Sequence, residues 1–74
     1  MRLRLYYRLP HTAKLGHGPC EEERQLDLAQ KRARFTMNRY ATKIVVKGTI
    51  EQVIEANTAL IAGGARLRGM EELI

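Results

Sequence analysis

The first nine residues, M-R-L-R-L-Y-Y-R-L, alternate apolar and polar side chains with a period of two. Leu3, Leu5 and Tyr7 share one parity, and cations occupy most of the other. Because successive side chains of a strand point to opposite faces, this pattern predicts a half-buried β-strand. The chain therefore needs a sheet with one apolar face and one polar face.

Two later segments have helical features. Residues 20–31 begin with a cysteine and three glutamates, and acidic residues favour the positive N-terminal end of a helix dipole. Residues 50–62 follow Thr49, a capping residue with Gln52 three places on, and end before two glycines. Apolar residues recur at helical spacing along residues 50–62. The sequence predicts a helix over each segment.

Short extended segments flank the second helix. Residues 41–47, A-T-K-I-V-V-K, are rich in β-branched side chains, which favour strands. Residues 65–68 alternate apolar and basic side chains and end before Gly69. Each segment is interpreted as a strand.

Residues 32–40 fit two patterns. At period two, Ala33, Phe35 and Met37 face the helices while Arg34 faces solvent. At helical period the same stretch extends the first helix to Arg39. The strand is preferred because it leaves every apolar face with a partner.

The predicted order is strand, helix, strand, strand, helix, strand. This order is typical of the ferredoxin-like βαββαβ arrangement, an α+β fold in which two helices cover one face of an antiparallel sheet. A chain of 74 residues has room for a single domain, which spans residues 1–74.

The net charge of +5 is concentrated on the predicted strands. If the helices cover one face of the sheet, the opposite parity is open to solvent and carries cations from four strands without an acid. The residues predicted to bind a ligand there are Arg2, Arg4, Tyr6, Arg8, Arg34, Lys43, Lys47, Arg66 and Arg68.

A basic open face of this kind favours a polyanion. Nucleic acid, as single-stranded or structured DNA or RNA, is the expected ligand, since Lys and Arg neutralise phosphates without reading sequence. Tyr6 is a candidate stacking surface, with Tyr40 as a second. The alternative is a protein-interaction module, an inhibitor or adaptor that binds an acidic protein or self-associates as a homodimer.

Chemical sites are not predicted. The chain has no serine, and the spacing of His11, His17 and Cys20 matches no standard metal-ligand arrangement. We therefore expect no enzyme activity, catalytic residue, cofactor or metal. The longest uncharged segment, residues 56–65, is about half the length of a membrane span, and no secretory leader is recognised. A cytoplasmic protein without membrane contact is expected.

Overall fold

The computed structural model describes residues 1–73, which form an antiparallel sheet and two helices. The elements in chain order are β1 (Arg2–Arg8), α1 (Glu21–Ala33), β2 (Thr36–Arg39), β3 (Lys43–Thr49), α2 (Ile50–Ala62) and β4 (Arg66–Leu73). The sheet order is β2-β3-β1-β4, and each neighbouring pair is antiparallel. The predicted ferredoxin-like fold is confirmed.

Helix α1 begins and ends with side-chain and backbone caps. Cys20 lies at the N-cap, where its Sγ accepts a hydrogen bond from the Glu23 N–H at 3.5 Å. At the other end Arg34 adopts a left-handed conformation (φ 63°, ψ 33°), and its N–H donates to the Gln30 carbonyl at 2.7 Å. This turn ends the helix at Ala33, beyond the predicted boundary at residue 31 and well before residue 39.

Helix α2 has the predicted bounds and the predicted capping box. The Thr49 hydroxyl accepts from the Gln52 N–H at 3.4 Å, and Gln52 Oε1 accepts from the Thr49 N–H at 2.8 Å. Because both orphan donors are satisfied, the helix starts directly at the end of β3.

The core lies between the helices and the inward face of the sheet. Tyr7, Ile44 and Val46 point inward from β1 and β3, and Leu26 and Leu60 cover them from the two helices. All five are almost completely buried. Tyr7 is inward and Tyr6 outward, as the alternation predicts.

The long connection between β1 and α1 also contributes to the core. Leu15 is 1% exposed and packs against Gly63, where a Cβ would lie 2.5 Å from Leu15 Cγ. The Lys14 N–H donates to the Gly63 carbonyl at 3.0 Å. Residues 9–20, which connect β1 to α1 and include the loop expected at residues 10–19 from its prolines and glycines, therefore close one end of the apolar core.

Strand β2 is shorter than the predicted segment. Phe35 is buried and Met37 packs against the core, as predicted, but Ala33 belongs to α1. Arg39 lies opposite Ile44, whose side chain points inward, and donates to both Glu23 carboxylate oxygens at 2.9 Å. Burial alone would raise the pKa of Glu23, but hydrogen bonds from Arg39 and the Gly16 N–H outweigh it and lower that pKa. The ion pair ties the edge strand to α1.

Candidate nucleic-acid interface

The strand register lines up three cations on the open face of the sheet. Arg8 in β1 lies directly opposite Lys43 in β3 on one side and Arg66 in β4 on the other. We call Lys43, Arg8 and Arg66 the cation row. Neighbouring strands are about 4.8 Å apart, so the row is about 10 Å wide at the backbone.

An open groove of about 740 Å³ adjoins the cation row. Besides the row, its lining includes Tyr6, His11 and Arg68, and no carboxylate of residues 1–73 contributes to it. No salt bridge within the described chain engages the row or Arg68. The groove is therefore an electropositive site.

The cation row has an electrostatic cost in the isolated chain. Like charges directly opposite each other on neighbouring strands repel, and each such pair is destabilising by a few tenths of a kcal/mol. A bound anion would remove this repulsion and gain charge-assisted hydrogen bonds. The row therefore favours a ligand with closely spaced negative charges.

A β-bulge changes the composition of the rest of the open face. Tyr6 lies opposite Gly69 and Tyr7 opposite Leu67, so Arg68 is an extra residue in β4. Beyond the bulge Glu71 lies opposite Arg4, and Arg4 Nη1 donates to Glu71 Oε1 at 2.7 Å. The prediction that the open face carries no acid is wrong at this position.

The Arg4–Glu71 pair also engages Tyr6. The Tyr6 hydroxyl donates to Glu71 Oε1 at 3.2 Å and lies beside the Arg4 guanidinium. The Tyr6 hydroxyl raises the pKa of Arg4, and the Glu71 carboxylate adds to the rise. Arg4 is thereby already neutralised within the chain, in contrast to the cation row.

Arg34 does not lie on the open face. It was predicted to point outward from a strand, but the strand begins at Thr36 and Arg34 is the left-handed cap of α1. Its backbone carbonyl accepts from Gln52 Nε2 at 3.4 Å, which links the end of α1 to the start of α2. The predicted placement of Arg34 on an outward-facing strand position is therefore wrong, and its contact with a ligand stays a prediction.

The remaining predicted residues lie at the opposite end of the sheet from the cation row. Lys47 lies opposite Thr36 on one side and Arg4 on the other, and Arg2 lies between Thr49 and Leu73. The structure thus brings Arg8, Lys43, Arg66, Arg68 and Tyr6 together and separates Arg2 and Lys47 from them.

Two further side chains flank the cation row. Tyr40 is exposed, and Lys43 Nζ lies 5.0 Å from the centroid of its ring, a cation–π contact. His11 lines the groove immediately after β1. Its position just beyond the strand that carries Arg8 is the sequence signal for this place, whereas the sequence pattern directs attention to His11 only as a metal ligand or as a base for Cys20.

The residues considered for metal or thiol chemistry have other places in the structure. Among residues 1–73, no three histidine, cysteine, aspartate or glutamate side chains form a metal-binding group. Cys20 Sγ lies 3.5 Å from the Lys14 carbonyl, to which it donates, while it also caps α1. Cys20 is therefore engaged in local structure.

Comparison with known proteins gives no relative. The chain matches no protein-family model, no curated protein and no solved structure at the significance required to infer a relationship. Across residues 1–73, neither helix has the length and apolar character needed to span a bilayer. Any functional assignment therefore depends on the geometry of the site.

Proposed function

We propose that the chain is a nucleic-acid-binding protein without catalytic activity, and that phosphates bind at the cation row. The observation that supports this is the alignment of Lys43, Arg8 and Arg66 across three adjacent strands without a neighbouring carboxylate in the described chain. Such a row concentrates positive electrostatic potential, and this potential attracts a polyanion over a long range.

The dimensions of the cation row suit a phosphate backbone. Its members are about 4.8 Å apart at the backbone, and the long side chains of Arg and Lys allow neighbouring members to reach successive phosphates of one strand. Two of its three members are arginines, whose planar guanidinium groups match phosphate oxygens in a bidentate manner. Arg68 extends the same surface along the groove.

An aromatic ring beside the row favours unpaired bases. Tyr6 is 37% exposed and lies opposite Gly69, which has no side chain to cover the ring. A base stacked on a tyrosine gains binding energy with little dependence on its identity. A single strand with its phosphates on the row and a base near Tyr6 is the ligand we expect.

The salt dependence of oligonucleotide binding tests this proposal. If the three row cations and Arg68 each contact a phosphate, the slope of log K against log salt for a single strand is about −2.8. Fluorescence anisotropy with a labelled single-stranded oligonucleotide measures this slope. Replacing the row by alanine (Arg8→Ala, Lys43→Ala and Arg66→Ala) should reduce its magnitude by about 2.

A matched variant controls for net charge. Arg24→Ala, Lys31→Ala and Arg32→Ala remove the same charge from exposed positions of α1, so the slope should stay close to that of the wild type. Equal slopes for the two triple variants would refute the cation row as the site. Binding of poly-glutamate but not of oligonucleotide would indicate an acidic protein as the ligand.

A further inference from the structure

An apolar groove remains uncovered on the other side of the sheet, between α2 and β4. Its lining includes Ile50 and Ile54 from α2 and Leu67 and Met70 from β4. Ile54 is 58% exposed and Met70 is 67% exposed. A contiguous set of exposed aliphatic side chains is typical of a protein interaction surface.

The bulge in β4 assembles this groove. Residues three apart in a regular strand point to opposite faces, but Leu67 lies opposite Tyr7 and Met70 lies opposite Leu5, and both β1 residues point inward. The extra residue, Arg68, therefore gives Leu67 and Met70 the same face. Both side chains lie at the side of α2 and remain largely exposed.

The backbone of β4 is open on the side away from β1. The strand is at the edge of the sheet and extends over eight residues, whereas β2 at the other edge has four. A long edge strand offers unpaired N–H and C=O groups to another strand. The open backbone and the apolar groove are adjacent, so one partner can cover both.

The charges along β4 are complementary to a second β4. Arg66 and Arg68 make the first half of the strand basic, and Glu71 and Glu72 make the second half acidic. Two antiparallel copies set each basic half against an acidic half, whereas parallel copies would oppose like charges. A two-fold axis perpendicular to the sheet generates antiparallel self-pairing and keeps the helices of both copies on the same side.

The geometry points to a homodimer in which the β4 edges of two copies of this chain pair antiparallel. The sheet then continues through both copies, and Leu67 and Met70 of each approach the two-fold axis on the helix side. Ile50 and Ile54 pack over them and lose their exposure. This inference does not depend on nucleic-acid binding, because the edge of β4 and the apolar groove are features of the chain alone. Arg66 belongs both to the cation row and to the paired edge.

The mass of the purified chain in solution tests the homodimer in the absence of nucleic acid. Sedimentation equilibrium should give twice the chain mass of 8.5 kDa. Ile54→Lys and Met70→Lys should each shift the mass to that of the monomer, because a charge would be buried at the interface. Leu28→Lys, an exposed change on α1, is the matched control and should leave the dimer intact.

A charge exchange tests the antiparallel pairing itself. The variant Arg66→Glu/Arg68→Glu makes β4 wholly acidic, and Glu71→Arg/Glu72→Arg makes it wholly basic, so each should be monomeric alone. Mixed together they should form a heterodimer. A monomeric wild-type chain at millimolar concentration would overturn the proposal, as would failure of the two folded charge variants to associate.

Discussion

The buried hydroxyl of Tyr7 should make the free energy of unfolding depend on pH in alkali. Its ring is 1% exposed, and its hydroxyl donates to Asn57 Oδ1 at 2.6 Å. Burial raises the pKa of Tyr7 from 10.0 to about 12. Because the pKa of Tyr7 is higher in the folded state than in the unfolded state, the neutral hydroxyl stabilises the fold. This stabilisation is fully present below pH 10 and is lost as the pH rises through about 12. Two pKa units correspond to a loss of roughly 2–3 kcal/mol of unfolding free energy.

The substitution Tyr7→Phe separates the hydrogen bond from the ionisation. At neutral pH the variant should be less stable by about 1 kcal/mol, since it leaves Asn57 Oδ1 without its donor. The variant does not ionise at this position, so its stability should fall less steeply in alkali. The two stability curves should cross at roughly pH 10.7, where the ionisation loss equals the hydrogen-bond gain.

Urea unfolding followed by circular dichroism, repeated from neutral pH to pH about 11.5, gives both curves. Tyr40→Phe removes the same hydroxyl from an exposed ring and controls for the change of residue type. A constant stability difference between wild type and Tyr7→Phe over this range would refute the argument that burial sets the ionisation of Tyr7.

Two further predictions concern Glu23 in α1 and Gly63 at the end of α2. Because its partners lower the pKa of Glu23, that carboxylate stabilises the fold above the ordinary glutamate pKa of 4.5, and the contribution is lost as the pH falls further. Glu23→Gln should therefore reduce the loss of unfolding free energy at acidic pH, measured by urea unfolding. The effect should be less than about 1 kcal/mol, because Arg39 remains partly exposed. Gly63→Ala should destabilise by about 1–3 kcal/mol in thermal unfolding, since its Cβ would collide with Leu15. An unchanged loss of unfolding free energy at acidic pH for Glu23→Gln would contradict the contact between Glu23 and Arg39. An unchanged melting temperature for Gly63→Ala would contradict the packing of Leu15 against Gly63.

The order of the elements could be predicted because their signals are local. The alternation of residues 1–9 sets the faces of β1, and Thr49 with Gln52 specifies the start of α2 through hydrogen bonds within one turn. Both signals depend on neighbouring residues alone. The structure agrees with the prediction at these elements.

The composition of the site could be predicted only in part. The period-two pattern continues across Arg34 and predicts a strand there, whereas a left-handed arginine has no clear signature in the sequence. Gly69 predicts the end of the last strand, but β4 continues to Leu73. Glu71 reached the open face through a bulge, which depends on pairing with β1 and is not visible in β4 alone.

At the bulge, Arg68 and Gly69 together occupy the place of one residue opposite Tyr6, so the chain can lose a residue there during evolution. A deletion of either residue leaves one residue in that place and keeps the orientation of everything after it, whereas a deletion elsewhere in β4 inverts the remainder. Relatives of this chain should therefore tolerate a one-residue gap at 68–69, and an alignment that moves the gap along β4 would misassign inward and outward positions.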